Sequence, residues 1–113
     1  MSVRTEKISE MIKKEISLIF LHKISDPALG LVTITDVKVT PDVKLAKIYI
    51  SIFDKSTRPE ALKKIESISG FIRSELAHRI KLRFVPELKF FLDETLDYVE
   101  KIEGLIKKIH END

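Results

Sequence analysis

Apolar residues near the start of the chain recur every three to four positions, which is the spacing of one face of an amphipathic helix. This stripe consists of Ile8, Met11, Ile12, Ile16 and Ile19. It predicts a helix from about Thr5 to His22. The helix is expected to end at Ser25-Asp26-Pro27, because the residue before a proline is disfavoured in the helical region.

The pattern then changes to alternation, which predicts two strands over 31–39 and 44–53. The short connection through Thr40-Pro41-Asp42 makes them an antiparallel hairpin. The two halves of the first strand carry their apolar residues at opposite parities. A bulge near Thr35-Asp36 is therefore predicted, since one extra residue returns both halves to the same face.

A helical stripe resumes after Pro59, which suits the first turn of a helix. This stripe contains Leu62, Ile65, Ile72, Leu76 and Ile80, with Ser69-Gly70 inside it. The glycine is either tolerated because two elements pack closely there, or marks a break between two helices. We favour the break, because Ser-Gly pairs are among the recognised causes of helix kinks.

A third strand is predicted over 87–92 and a final amphipathic helix over about 94–110. The expected fold class is α+β, with a three-stranded sheet and helices on one face. The second and third strands should be joined by a right-handed crossover. We expect a single domain over 1–113, with its core at about 5–92.

Composition limits the chemistry that this chain performs. Hydrophobic residues make up 43% of its 113 residues and charged residues 34%, as in a folded, soluble domain. The absence of cysteine excludes disulfides, thiol catalysis and thiolate metal sites. It also suits a reducing cytosol, so a cytoplasmic location is predicted. No apolar run approaches the roughly 20 residues of a membrane span.

Charge is unevenly distributed along the chain. Residues 55–83 contain eight Lys or Arg against three acids, whereas residues 93–113 contain seven acids against three lysines. The net charge of +2 conceals this division. A local surplus of positive charge favours a phosphate backbone as partner.

The residue types used for catalysis, metal binding or cofactor binding are not arranged in a recognisable site. The histidines, His22, His78 and His110, lie on different predicted elements. The three glycines are isolated, which excludes the glycine-rich loops that cradle nucleotides. Asp36 and Asp42 are better explained as bulge and turn residues than as paired carboxylates. We expect no catalytic residues, no metal and no cofactor.

The basic cluster allows two interpretations. It is a solvated helix face if Glu66 pairs with Lys63 and Glu75 with Arg79. It is a nucleic-acid surface if its cations remain unpaired, and no acid lies near the last three of them before Glu87. Those three cations are Arg79, Lys81 and Arg83. Four aromatic residues either stack on bases or pack beneath other elements; these are Tyr49, Phe71, Phe84 and Phe91.

Three collinear stretches carry a resemblance to a known family: KISEMIKKEISLIF (7–20), ISDPALGLVTITDVKVTPDVKLAKIYISIF (24–53) and SGFIRSELAHRIKLRFVPELKFFLDETLDY (69–98). The chain resembles the ribosome-binding factor A family of bacterial small-subunit assembly factors. The resemblance implies a type II KH-like fold. KH domains clamp nucleotides with a GXXG loop, and this chain has none. In the family a helix-kink-helix replaces that loop, and here it matches Ile68, Ser69 and Gly70.

The resemblance also implies a function and its residues. The family binds free 30S subunits and assists late 16S rRNA maturation, including processing of the 5′ end, without being an enzyme. Its implied partner is 16S rRNA in free or immature 30S subunits, with a ribosome-associated GTPase as a candidate for release. Apart from the resemblance, we expect a monomer, because no second apolar surface is left once the helices cover the sheet. Arg73 and Arg83 are the leading RNA contacts that it implies. Supporting contacts are Lys81, Arg79, Lys64 and Lys63.

Two other functions remain open from the sequence. The same basic face would suit a module that binds an acidic protein, and the tail helix offers a stripe for docking. Binding to naked 16S rRNA would separate that module from an RNA-binding protein. A small nuclease is a third possibility, and cleavage of precursor 16S rRNA that depends on one carboxylate would reveal it.

Overall fold

A computed structural model describes residues 3–24, 29–95 and 102–106. The chain forms helix α1 (Val3–His22), strands β1 (Val32–Val39) and β2 (Leu45–Ile52), helices α2 (Arg58–Ser67) and α3 (Ser69–Arg79), and strand β3 (Glu87–Leu92). A short 3-10 turn at Lys55–Thr57 precedes α2. The predicted α+β order of elements is thus confirmed from the first helix to the third strand.

The sheet has the order β1-β2-β3. Strands β1 and β2 are antiparallel, and β2 and β3 are parallel because the chain returns through α2 and α3. The register of β1 against β2 shifts between Ile34 and Asp36. This shift is the predicted bulge, and it lets Ile34 and Val37 both lie in the core despite their opposite parities.

The core lies between one face of the sheet and the helices. Helix α1 packs on β1 and α3, and α2 packs beside β3. The completely buried side chains of this core include Ile12, Ile16, Ile48, Ile50 and Ile72. Burying a side chain of this size stabilises the fold by about 1.5–3 kcal/mol. The helices therefore pack on the face of the sheet that carries Ile48 and Ile50.

The helical segment between β2 and β3 is interrupted at Ile68, whose φ of −102° and ψ of 12° depart from helical values. The N–H of Ile68 still donates to the carbonyls of Lys64 and Ile65, and its own carbonyl accepts from Ile72. The hydrogen-bonded ladder therefore bends without stopping. A Cβ added to Gly70 meets nothing within 4 Å, so close packing does not explain that glycine.

The predicted C-terminal helix falls largely outside the described residues, although 102–106 are helical. Ser25, Asp26 and Pro27, the predicted helix stop, also lie outside them; α1 ends at His22. No helix in the described part of the chain is long and apolar enough to span a membrane.

Candidate nucleic-acid interface

Several separate segments meet at one end of the sheet. Because β2 and β3 are parallel, the residues that lead into both strands lie side by side, and the N–H of Glu87 donates to the carbonyl of Lys44 at 2.9 Å. Helix α1 is held at the same end, where the N–H of Val39 donates to Ser9 Oγ at 3.2 Å. The first turn of α1, the β1–β2 turn and the segment before β3 therefore approach one another.

These segments and α3 enclose a cleft of about 530 Å³, which we call the cationic cleft. It is lined by Arg4, Pro41, Asp42, Val43, Lys44, Arg73, Leu82, Arg83, Phe84 and Val85. Four of these side chains are cations and one is a carboxylate. Their positive charge surrounds a partly buried apolar surface that includes Val43, Leu82 and Val85.

The turn that presents Asp42 and Lys44 is held together by hydrogen bonds. The N–H of Val43 donates to the carbonyl of Thr40 at 2.8 Å, and Val43 has a φ of 59°. The Thr40 hydroxyl donates to Asp42 Oδ1 at 2.7 Å, and the N–H of Lys44 donates to the same oxygen at 3.1 Å. These hydrogen bonds lower the pKa of Asp42, so its carboxylate is ionised at neutral pH.

Arg73 and Arg83 are the leading RNA contacts that the family resemblance implies, and both line the cationic cleft. Arg73 Nη2 donates to the carbonyl of Val85 at 2.8 Å, which leaves other guanidinium donors for a ligand. The guanidinium of Arg83 lies over the ring of Phe84, 5.4 Å from its centroid. Arg4 and Lys44 were missed because they are distant from the basic run in sequence.

The supporting residues are not in the cleft. Lys63, Lys64 and Lys81 are exposed elsewhere on the surface. Arg79 Nη1 lies 3.5 Å from Glu15 Oε2, so Arg79 is not one of the unpaired cations that the nucleic-acid interpretation of the basic cluster requires. The partner comes from α1, 64 residues away, and its charge partly neutralises Arg79.

The helix break lies beside a second hollow at the edge of β3. It is lined by Glu66, Ser69, Leu88, Lys89, Phe90 and Phe91. This lining contains one cation, Lys89, and one carboxylate, Glu66, so the hollow lacks the strong positive charge of the cationic cleft. Of these two hollows, the cationic cleft therefore carries the larger positive charge.

Among the described residues, no group of three or more His, Cys, Asp and Glu side chains has the arrangement of a metal site. The exposed aromatic Phe84 and the cations around it are the chemical groups that distinguish this end of the molecule.

A model of the family described as Ribosome-binding factor A matches residues 4–106. The chain belongs to the ribosome-binding factor A family. A relative of that name in Macrococcus caseolyticus is 45% identical over 111 residues, which cover 97% of each chain. The residues that the family model matches include every segment that forms the cleft.

Solved structures confirm the fold. The crystal structure of ribosome-binding factor A from Thermus thermophilus matches with a TM-score of 0.69 at 21% identity, covering 78% of this chain and 93% of that one. A Thermus thermophilus homology model, fitted into a cryo-electron microscopy map of a complex of 30S with ribosome binding factor A, matches with a TM-score of 0.60 at 21% identity. That match covers 84% of this chain and 97% of the other. The KH-like arrangement expected from the resemblance agrees with both.

Proposed function

We propose that the protein is a non-catalytic assembly factor that binds free or immature 30S subunits through 16S rRNA. Membership of the ribosome-binding factor A family supports this function, as does the 30S complex into which the Thermus thermophilus homology model was fitted. The observation that carries the proposal is the cationic cleft, where Arg4, Lys44, Arg73 and Arg83 converge from four separate segments.

The mechanism requires no bond to be made or broken. Arg and Lys side chains contact phosphates and position the protein on folded RNA without reading its sequence. A protein that binds one rRNA conformation more tightly than another shifts the population towards the first. In this way the protein assists late maturation of 16S rRNA, including processing at its 5′ end by separate nucleases.

The remaining parts of the proposal follow from this role. The protein acts in the cytoplasm as a monomer and leaves the subunit before translation. A ribosome-associated GTPase is the proposed agent of release. Neither rRNA binding nor release requires a cofactor bound to this chain.

Sedimentation with purified free 30S subunits tests the proposal. The wild-type protein should pellet with 30S, and Arg73→Gln combined with Arg83→Gln should weaken binding. The dependence of log affinity on log salt should flatten by about 1.5, since each lost phosphate contact removes about 0.7–0.9 from the slope. Lys14→Gln with Lys23→Gln is a matched control, because both lysines are exposed, on α1 or directly after it, and neither lines the cleft.

Two results would reject the proposal. One is failure of the wild-type protein to pellet with 30S at any ionic strength. The other is equal salt dependence for the cleft variant and the double-lysine control. Cleavage of precursor 16S rRNA by the purified protein would instead support an enzyme.

A further inference from the structure

The cationic cleft combines two surfaces that a nucleotide requires. Val43, Leu82 and Val85 provide partly buried apolar contact, while four cations surround it. Its volume of about 530 Å³ falls within the roughly 300–1,000 Å³ of ordinary small-ligand pockets. A surface that only gripped a duplex backbone would need the cations but not the apolar hollow.

Phe84 supplies a stacking surface within this cleft. It is 72% exposed, although the guanidinium of Arg83 already lies over its ring. Bases in single-stranded RNA stack on aromatic rings and on arginine guanidinium planes. Phe84 and Arg83 present both kinds of partner together, next to cations that attract the adjoining phosphates.

We propose that the cationic cleft holds one unstacked nucleotide of single-stranded RNA, with its base against Phe84 and its phosphates on the surrounding arginine side chains. This inference rests on the proposed function and specifies the form of RNA that the site takes. A duplex cannot fill the hollow in this way, because its bases are stacked and paired inside the helix.

Asp42 places a negative charge on one side of the cleft. Its ionised carboxylate lies at the side formed by the β1–β2 turn, together with Lys44. A carboxylate repels phosphates and accepts hydrogen bonds from N–H groups on base edges, which include the amino group of cytosine and the N3–H of uracil. The phosphates are therefore directed towards Arg73 and Arg83, and the base edge towards Asp42.

Fluorescence anisotropy with two RNA probes tests the inference. The first probe is a labelled nine-residue oligouridylate, and the second is an RNA hairpin with a fully paired stem, the same number of phosphates and a non-nucleotide linker in place of loop nucleotides. Phe84→Leu should weaken oligouridylate binding about 5- to 150-fold, the range for loss of one stacked base. Its salt dependence should match the wild type, because no cation has been removed.

Phe53→Leu provides the matched control. Phe53 is 78% exposed but follows the last residue of β2, whereas the cleft lies where β2 begins. It should bind both probes like the wild type, and Phe84→Leu should bind the hairpin like the wild type. Thermal unfolding of both variants verifies that they fold.

Several outcomes would overturn the inference. They are equal oligouridylate binding by the Phe84 and Phe53 variants, equal loss on both probes, no measurable oligouridylate binding, or competition by uridine monophosphate as strong as by the oligomer. If the wild type still pellets with 30S in those cases, only the nucleotide pocket is rejected. If it does not pellet, the proposed function itself fails.

Discussion

Arg73 Nη2 donates a hydrogen bond to the backbone carbonyl of Val85 across 2.8 Å. Arg73 belongs to α3, and Val85 lies in the segment that leads into β3. The bond therefore ties the helix to the loop that carries Arg83 and Phe84. One arginine thus has two roles, since it shapes the cleft and contributes charge to it.

These two roles predict a difference between the cleft arginines. Arg73→Gln should lower the free energy of unfolding by about 1 kcal/mol, the usual net value of one hydrogen bond. Arg83→Gln should change it by less than about 0.5 kcal/mol, as surface substitutions generally do. Chemical denaturation measures both values, and equal stability of the two variants would contradict the structural role of Arg73.

The ion pair between Arg79 and Glu15 predicts a structural function for Arg79. Its atoms are 3.5 Å apart and its side chains are 25% and 22% exposed. A double-mutant cycle with Arg79→Gln and Glu15→Gln should give a coupling energy of about 0.2–1 kcal/mol. Arg79→Gln should also reduce 30S affinity less than Arg83→Gln does. Equal losses of affinity would show that Arg79 belongs to the interface.

Gly70 should tolerate a side chain, because the helix bends at Ile68 and an added Cβ at Gly70 meets nothing within 4 Å. Gly70→Ala should raise the free energy of unfolding by up to about 1 kcal/mol. Gly30→Ala is the contrasting control, since Gly30 has a φ of +64° that alanine adopts only with strain. Destabilisation by Gly70→Ala would mean that the bend depends on the glycine.

The hydrogen bonds of Asp93 predict a dependence of stability on pH. The Thr95 hydroxyl and then the Thr35 hydroxyl donate to its carboxylate, which lowers the pKa of Asp93 below its ordinary value of 3.8. A lowered pKa in the folded state means that this stabilisation is complete above the unfolded pKa. It is lost as the pH falls through the folded pKa.

Asp93→Asn should therefore be less stable than the wild type at pH 7, and the difference should shrink below about pH 4. Glu94→Gln, at the exposed neighbouring position, should show no such convergence. Urea denaturation across this pH range measures the effect. A difference that stays constant with pH would rule out the assigned hydrogen bonds.

Local patterns predicted the fold well. Opposite parities in the first strand indicated the bulge at Thr35 and Asp36, and the register confirms it. The apolar stripe after Pro59 identified the helical segment but not the residue at which it bends, because Ser69-Gly70 is the pair that local sequence favours for a kink. The helix bends at Ile68 instead, where the N–H of Ile68 is shared between the carbonyls of Lys64 and Ile65.

The candidate site was less predictable because it depends on tertiary pairing. Arg73 and Arg83 lie in one basic segment, but Arg4 and Lys44 join them only because β2 and β3 begin at the same end of the sheet. Conversely, Arg79 belongs to the basic run in the sequence, but in the fold it pairs with Glu15 of α1. A charge count along the sequence cannot distinguish these cases.

Cryo-electron microscopy of the protein mixed with immature 30S particles would show whether the cationic cleft binds rRNA. We expect 16S rRNA to occupy the cleft, with phosphates within hydrogen-bond distance of Arg73 and Arg83. A bound protein whose cleft faces solvent or a ribosomal protein, with rRNA on another surface, would contradict it.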